Sequence, residues 1–295
     1  MHILHIDSGS EMRGGQWQVL RLIEGLRARN HRSVLIARPE APLFAEAKRR
    51  EIEVQPLNFH PLLRGTRVAD ITHAHDARSH TIAALLAPLR LVVARRVAFP
   101  VHANGFSRWK YGRATHYIAV SKFVRHTLLD AGIAFSRITV VYDGVPMQPV
   151  SEGNEILIPE THDPGKGMEL ALASVELAGK TARVSNNLEK DLAHAGVFLY
   201  ITHSEGLGSA ALLAMAAGVA VIASKAGGLV EIVEHERTGL LTENSPEAIA
   251  SAVRRLAKNQ EFARSLGHNA RETVKQRFSV DRMVTDTLAV YEAIA

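Results

Sequence analysis

The residues best suited to chemistry follow an apolar run in the second half of the chain. From Ser204 the sequence reads S-E-G-L-G-S-A-A-L-L-A-M-A-A-G. Gly206 and Gly208 allow the main chain to approach a ligand closely, and we expect Ser209 to cap the helix that follows. Free amides at a helix start, together with the helix dipole, favour an anion such as phosphate. The stretch therefore predicts a phosphate-binding turn between a buried strand and a buried helix.

A carboxylate, Glu205, lies at the mouth of this turn. A phosphate would repel it, so its natural partner is a hydroxyl-bearing group beside the phosphate, such as a sugar. The two features together favour a nucleotide sugar as the ligand. The alternative interpretation is that a glycine-rich turn before an Ala/Leu helix only connects a strand to a helix in a parallel α/β protein. The turn alone leaves both interpretations open.

Composition limits the classes of protein to which the chain can belong. It has 295 residues, of which 46% are hydrophobic and 22% charged, enough for two domains of roughly 150 residues each. The 35 basic and 30 acidic residues give a net charge of +5, which favours anionic substrates or an acidic membrane surface. Because the basic residues are spread along the chain, we expect no nucleic-acid partner.

The absence of cysteine excludes disulfides, thiolate metal sites and cysteine nucleophiles. The start, M-H-I-L-H-I-D, has neither the basic region nor the long apolar run of a secretory signal. The apolar stretch from Ile82 to Ala94 is interrupted by Pro88 and Arg90. We therefore expect a cytoplasmic protein, with the inner face of the membrane as a more specific location.

Apolar strands and amphipathic helices alternate along the first half. His2 to Asp7 predicts a strand, and Gly14-Gly15 precede a helix whose apolar residues from Val19 to Leu26 follow helical spacing. Alternation of this kind specifies a parallel sheet with helices on its faces. Further strands are predicted near 31–37, 52–57, 71–75, 91–94, 116–120 and 138–142, and helices through 44–47, 79–86 and 122–131.

Turn-forming residues from Asp143 to Gly153 mark a linker. A strand over 155–158, the turn Asp163-Pro164-Gly165 and a helix over 166–178 then restart the pattern. We predict two doubly wound, Rossmann-like α/β domains, residues 1–145 and 146–295, that face a shared cleft, where open α/β sheets bind ligands. The last helix, about 279–295, is expected to pack back on the first domain.

Taken together, these motifs resemble the GT4 family of glycosyltransferases, whose members have the GT-B fold. The resemblance rests on Gly14-Gly15, on Lys166-Gly167 at a helix start, and on E-G-L-G followed by A-M-A-A-G-V-A-V-I-A-S and A-G-G-L-V-E. It implies retaining, metal-independent transfer of a sugar from a nucleotide diphosphate donor, held mainly by the second domain, to an acceptor held mainly by the first.

The resemblance also assigns donor-side roles. Glu205 contacts the donor sugar, and Lys166 lies on the phosphates, where its ammonium would stabilise the leaving diphosphate. The amides from Gly206 to Ser209 cradle the diphosphate, the first glycine pair closes over the donor, and residues 183–187 hold the nucleobase through the backbone. The predicted donor-binding set is Gly14, Gly15, Gly206, Leu207, Gly208, Ser209, Asn186 and Asn187.

Three departures from the family pattern concern the donor site. The second glutamate of the motif, which grips the ribose, is replaced by Leu213, and Pro159 to Gly165 contains no arginine. Only 39 positions separate Lys166 from Glu205, so the donor domain is one βα unit short. Losing two charged contacts could weaken donor binding by about two to four powers of ten.

The predicted acceptor side contains three histidines, an arginine and an asparagine. His73 and His75 lie two apart on a strand and face one side of the sheet. We expect them to donate hydrogen bonds into the cleft rather than to bind a metal, because no further ligand spacing appears. Arg96, His102 and Asn104 complete the set, with a surface-loop position as the alternative for His102.

Phe106 to Tyr111, with its basic neighbours, forms either a patch for a lipid-linked or sugar acceptor or a core aromatic with solvated neighbours. The sequence as a whole predicts a retaining glycosyltransferase without metal or cofactor, using a UDP- or GDP-linked sugar in cell-envelope polysaccharide synthesis. Its partners would be the nucleotide sugar and a glycan or lipid-linked acceptor, with peripheral membrane association. The alternative is a shortened, non-catalytic GT-B domain that binds sugar nucleotide weakly or serves as an interaction module. An epimerase of the same fold would need acid/base residues that the sequence does not place.

Overall fold

The computed structural model describes residues 1–86, 88–102, 104–161 and 163–295. Contacts within the chain define two units. The first combines Met1–Gly144 with Val280–Ala295, and the second is Val145–Ser279. Among the described residues, no helix combines the length and the apolar character that crossing a lipid bilayer requires.

The first unit is built on a seven-stranded parallel sheet in the order β3-β2-β1-β4-β5-β6-β7. Its central strands are apolar on both faces because helices cover both sides of a parallel sheet. The strands are β1 His2–Ile6, β2 Arg32–Ala37, β3 Val54–Pro56, β4 Ile71–Ala74, β5 Leu91–Arg95, β6 His116–Ala119 and β7 Ile138–Val140.

Six helices connect these strands: α1 Gly14–Arg27, α2 Pro42–Arg49, α3 Phe59–Val68, α4 Ala77–Leu86, α5 Gly105–Arg113 and α6 Lys122–Asp130, with a 3-10 turn at Phe135–Arg137. The sequence analysis did not predict α3 or α5. The apolar residues of α5 follow no clear helical period, whereas Phe59, Leu62 and Leu63 of α3 do follow one. Gly14 and Gly15 were expected to form a turn before the first helix, and this was wrong. They are the first two residues of α1, with Arg13 at its N-cap.

The second unit contains a five-stranded parallel sheet in the order β12-β11-β10-β8-β9. Its strands are β8 Glu155–Pro159, β9 Ala182–Ser185, β10 Ala195–Tyr200, β11 Ala220–Ser224 and β12 Gly239–Thr242. Its helices are α7 Met168–Leu177, α8 Leu188–Asp191, α9 Ser209–Ala216, α10 Leu229–Ile232, α11 Pro246–Lys258 and α12 Gln260–Arg277, with 3-10 turns at Pro164–Lys166 and Leu192–His194.

Each unit has its own apolar core. In the second unit, α7, α11 and α12 cover the sheet through residues such as Val175, Val253 and Leu266. The final helix, α13 Val280–Ile294, belongs to the first unit. Its apolar face, which includes Tyr291, packs with Leu22 of α1 in the core of that unit.

Three buried histidines lie in the core of the first unit. His5 on β1 is paired with His73 on β4, and His5 Nδ1 lies 3.0 Å from His75 Nε2. His73 Nδ1 lies 2.6 Å from the hydroxyl of Tyr291. Burial lowers the pKa of His5 to about 3 and the pKa values of His73 and His75 well below the usual range, with neighbouring positive charge from Arg96 adding to the effect. The three imidazoles are therefore neutral.

The hydrogen bonds around Arg96 fix the protonated nitrogens of this cluster. Arg96 Nη1 lies 3.4 Å from His75 Nδ1. Because a guanidinium only donates, His75 Nδ1 accepts, and its Nε2–H then donates to His5 Nδ1. The three histidines are close enough to hold a metal ion, but the guanidinium and the occupied Nε2 both disfavour a cation there. Metal independence stays a prediction.

Acid should destabilise the first unit, because four histidines in it are neutral when folded. Burial also lowers the pKa of His80 to about 3. A histidine whose pKa is lower in the folded than in the unfolded chain makes its full contribution to the free energy of unfolding above the unfolded pKa of about 6.5. That contribution falls as the pH drops below about 6.5, by about 2 kcal/mol for each histidine at pH 5. Burial raises the pKa of Asp7, which opposes this trend, whereas burial lowers the pKa values of His31 and His116 in the same unit and adds to it.

Urea titrations from pH 7.5 to pH 5 test this expectation. Trp17 and Trp109, the chain's two tryptophans, both lie in the first unit, so their fluorescence follows its unfolding. The H80N variant should show a shallower pH dependence than the parent protein, and H268Q, at an exposed histidine, should not change it. An unfolding free energy that is equal at pH 7.5 and pH 5 would contradict the neutral cluster.

Candidate active site

Lys166 and Glu205 are brought together at the carboxyl edge of the second sheet. Lys166 ends the 3-10 turn after β8, and Glu205 follows β10, the strand next to β8. The two loops are tied by hydrogen bonds from the amide of His203 and the hydroxyl of Thr202 to the carbonyl of Gly165, at 2.9 and 3.1 Å. The carboxyl ends of parallel strands are where open α/β sheets bind ligands.

The carboxylate of Glu205 accepts three hydrogen bonds. Lys166 Nζ and the Tyr200 hydroxyl both lie 2.6 Å from Oε2, and the amide of Gly206 lies 3.1 Å from Oε1. Only 15% of the Glu205 side chain and 30% of the Lys166 side chain are exposed. Burial, and then the neighbouring Glu205, raise the pKa of Tyr200 well above its ordinary value, so its hydroxyl stays protonated and donates.

The glycine turn before α9 has a special backbone conformation. Gly208 has φ 109°, and a Cβ on it would lie 2.6 Å from Leu229 Cδ2. The expectation that Ser209 caps α9 was wrong, because Gly208 occupies the N-cap and no side chain caps the helix. The amides of Leu207 and Gly208 have no hydrogen-bond partner within the described part of the chain. The amide of Gly206, by contrast, already donates to the Glu205 carboxylate. Part of the predicted cradle is therefore open to an anion.

A second glycine pair, after β11, holds the Glu205 turn in place. The amide of Gly228 donates to the carbonyl of Glu205 at 3.0 Å. A Cβ on Gly227 would lie 2.0 Å from the main-chain carbonyl oxygen of Glu205, and one on Gly228 would lie 2.1 Å from the carbonyl oxygen of Gly206. The two loops therefore pack backbone against backbone, which only glycine permits.

Asn186 and Asn187 follow β9, the edge strand beside β8, at the same edge of the sheet as Lys166. Asn187 is the N-cap of α8, and its side chain accepts from the amide of Lys190 at 3.3 Å. Asn186 is exposed. Their predicted contact with a nucleobase through the backbone stays a prediction.

In the first unit, Arg96 contacts two other predicted residues, His75 and Gly15. Besides the contact with His75, its Nε lies 3.3 Å from Asp143 Oδ1, and a Cβ on Gly15 would lie 3.8 Å from its Cδ. Gly15 at the start of α1, His75 after β4 and Arg96 after β5 therefore meet at one end of this sheet.

Three acceptor-side predictions need correction. His75 was expected to form hydrogen bonds in a cleft, but it is buried and its two ring nitrogens already contact Arg96 and His5. His73 was expected to reach a cleft, but it is only 1% exposed and bonds to Tyr291 in the core, because α13 covers that face of the sheet. Asn104 was expected to reach an acceptor hydroxyl, but its side chain caps α5, accepting from the amide of Ser107 at 2.7 Å. His102 is exposed, two residues before that cap.

Sequence reasoning missed three residues that contact the predicted ones: Tyr200, His5 and Asp143. Tyr200 lies in an apolar run, where a tyrosine looks like a core residue. His5 could have been found, because H-I-D at 5–7 and H-A-H-D at 73–76 lie at the ends of neighbouring parallel strands, where His5 is paired with His73. Asp143 follows β7, and no local pattern links it to Arg96.

A cavity of about 1100 Å³ lies at the opposite, amino-terminal edge of the second sheet. Val197 and Ile156 are among its apolar lining residues, and Lys180, Arg264 and Arg271 are among its basic ones. At the carboxyl edge, by contrast, a lysine, a tyrosine hydroxyl and a backbone amide converge on the Glu205 carboxylate, and this is the edge where sheets of this kind bind ligands. The Glu205 turn therefore remains the candidate site.

Comparison with known proteins identifies two family models that match this chain. The family model described as glycosyl transferases group 1 matches residues 171–273, and the model for Glycosyltransferase Family 4 matches residues 12–148. The N-acetyl-alpha-D-glucosaminyl L-malate synthase of Bacillus anthracis is 32% identical over 107 residues, which are 36% of this chain and 28% of that protein. An uncharacterized glycosyltransferase of Methanocaldococcus jannaschii is 28% identical over 223 residues, covering 64% of this chain and 63% of the relative.

These matched stretches span less than two thirds of the length of either relative. Among solved structures, the complex of Anabaena Alr3699/HepE with UDP and glucose has a TM-score of 0.86 at 16% identity, covering 99% of this chain and all of that one. At this identity the likeness concerns the fold. The two family matches and the two parallel α/β units show that the chain belongs to family 4 of the glycosyltransferases, with the GT-B fold.

Proposed function

We propose that the protein transfers a sugar from a UDP- or GDP-linked donor to a glycan or lipid-linked acceptor, with retention of configuration and without a metal. The observation that carries the proposal is the convergence of Lys166, Glu205 and the open amides of Leu207 and Gly208 at one sheet edge. The UDP and glucose in the complex of the similar Anabaena protein support a uridine nucleotide. We place the reaction in cell-envelope polysaccharide synthesis, at the cytoplasmic side of the membrane.

The proposed reaction needs no protein nucleophile. The bond between the sugar C1 and the diphosphate oxygen breaks, and the bond from C1 to the acceptor oxygen forms on the same face. The acceptor proton passes to the leaving diphosphate oxygen. Lys166 and the turn amides would stabilise the charge that grows on that diphosphate, the task that a metal ion performs in other transferases. Glu205 would orient the sugar through its hydroxyls.

Calorimetric titration with UDP, GDP and ADP tests the donor site. We expect one nucleotide to bind in preference to the others, and the K166M variant to bind it tenfold to a hundredfold more weakly, because a charged hydrogen bond contributes about 1.5 to 3 kcal/mol. Sugar release from the matching nucleotide sugar, followed by product analysis, should be lost in E205A. The K225M variant, which removes an exposed lysine paired with Glu243, is the matched control and should behave like the parent.

Unchanged nucleotide affinity in K166M, or unchanged turnover in E205A, would contradict these assignments. No heat with any of the three nucleotides would instead favour the shortened, non-catalytic domain. The observations behind that second candidate are Leu213 in place of the ribose-binding glutamate and the absence of an arginine before Lys166.

The surface of α5 is our proposed contact with an anionic membrane that carries the acceptor. Phe106 and Trp109 are 57% and 40% exposed, and their rings stack with centroids 5.5 Å apart. Arg108 and Arg113 are exposed on the same short helix. Tryptophan and phenylalanine insert into the membrane interface, and arginines bind anionic headgroups.

Sedimentation with phosphatidylglycerol vesicles tests this surface. The F106S/W109S variant should bind at least tenfold more weakly, because burial of an aromatic side chain contributes about 1.5 to 3 kcal/mol. The control is F59S, which removes an aromatic that is 64% exposed on α3 of the same unit. Equal vesicle binding by the parent and by F106S/W109S would contradict the proposed membrane contact.

A further inference from the structure

We infer that Tyr200 is a positioning residue, which holds the Glu205 carboxylate while Lys166 moves from that carboxylate to a bound diphosphate. The inference rests on the proposed function, because it describes how the same site admits its ligand. It concerns a residue outside the sequence motifs, on a strand rather than on the glycine turn.

Two donors share one oxygen of the Glu205 carboxylate. Lys166 Nζ and the Tyr200 hydroxyl both bond to Oε2 of Glu205 at 2.6 Å. Without a ligand, the ammonium that would bind phosphate is therefore already paired with a negative charge. A diphosphate at the Leu207 and Gly208 amides can recruit Lys166 only if the lysine leaves Glu205.

The departure of Lys166 would leave a mostly buried carboxylate short of a partner. A buried charge that loses its partner is costly, and one remaining donor to the same oxygen lowers that cost. Tyr200 is that donor. Its hydroxyl stays protonated, and its bond keeps Oε2 in place so that the carboxylate can meet the sugar hydroxyls.

The Tyr200 side chain is held more rigidly than the Lys166 side chain. It is the last residue of β10, only 9% exposed, and its ring stacks on Phe198 with centroids 5.9 Å apart. A side chain held by a strand and by packing keeps its geometry better than one on a loop. Lys166, by contrast, lies on a turn and is 30% exposed, so it can change partner while Tyr200 stays.

A double-mutant cycle with inorganic pyrophosphate as the probe tests this exchange by calorimetry. In E205Q, Lys166 has no anionic partner to leave, so pyrophosphate should bind several-fold more tightly than to the parent. In Y200F it should bind about tenfold more weakly, because Oε2 loses its last donor when the lysine leaves. In Y200F/E205Q the tyrosine should no longer matter, and the affinity should lie within about twofold of E205Q.

The matched control is Y117F, which removes another buried tyrosine hydroxyl, one that donates at 2.6 Å to the carbonyl of Tyr111 in the first unit. Pyrophosphate affinity should not change in it. Y200H, which keeps a ring and an N–H donor, should recover part of the affinity lost in Y200F, and it serves as the second variant if Y200F does not fold. Loss of packing alone would not be recovered in this way.

The results separate this inference from the proposed function. Equal weakening by Y200F in the parent and in E205Q, or no affinity of the parent for pyrophosphate, would overturn the role of Tyr200. The expected cycle with pyrophosphate, combined with no preference for any nucleotide and no sugar transfer, would support Tyr200 and overturn the proposed function. Nucleotide-dependent sugar transfer without coupling between Tyr200 and Glu205 would support the proposed function and overturn the role of Tyr200.

Discussion

The hydrogen bonds to the Glu205 carboxylate are the interaction on which the rest of the site depends. They join an ammonium from the loop after β8, a phenol from β10 and the amide of the next residue. Each donor comes from a different part of the second unit, so the carboxylate fixes the spacing of neighbouring loops. Removing one partner of a partly buried ion pair leaves the other charge uncompensated, which costs free energy. The contact between Lys166 and Glu205 is therefore stable without a ligand, and an incoming anion competes with Glu205 for the lysine.

Close backbone packing makes that arrangement possible. The Glu205 turn lies against Gly227 and Gly228, where any side chain would overlap a carbonyl oxygen. Gly208 supplies the left-handed residue at the start of α9, where its own amide and that of Leu207 have no partner among the described residues. The proposed phosphate site therefore combines main-chain amides with the Lys166 ammonium, and glycines are required where the turn packs backbone against backbone.

The periodic parts of the fold could be predicted from the sequence because their signal is local. Continuous apolar strands and helices with buried stripes, such as α1, identify a parallel α/β protein. The shared donor site of Lys166 and Glu205 was predicted only through the family resemblance. Helix α5 was missed because its apolar residues carry no clear period, and α3 was missed although Phe59, Leu62 and Leu63 follow helical spacing. Gly14 and Gly15 were read as a turn, yet the chain already enters α1 there.

The chemistry of individual side chains was harder to predict, since it depends on partners distant in sequence. His73 looked available on its strand until α13, more than 200 residues later, supplied Tyr291 and covered it. Asn104 was assigned to an acceptor ligand, but its side chain instead accepts a hydrogen bond from the Ser107 amide at the start of α5. Tyr200 appeared to be a core residue because nothing local shows that its hydroxyl reaches Glu205.

A crystal structure of the protein with its preferred nucleoside diphosphate would test the central claim most directly. The account predicts that Lys166 Nζ lies within hydrogen-bond distance of a phosphate oxygen and has left Glu205. The same structure should show the Tyr200 hydroxyl still bonded to the Glu205 carboxylate. A diphosphate bound elsewhere, with Lys166 still on Glu205 Oε2, would contradict it.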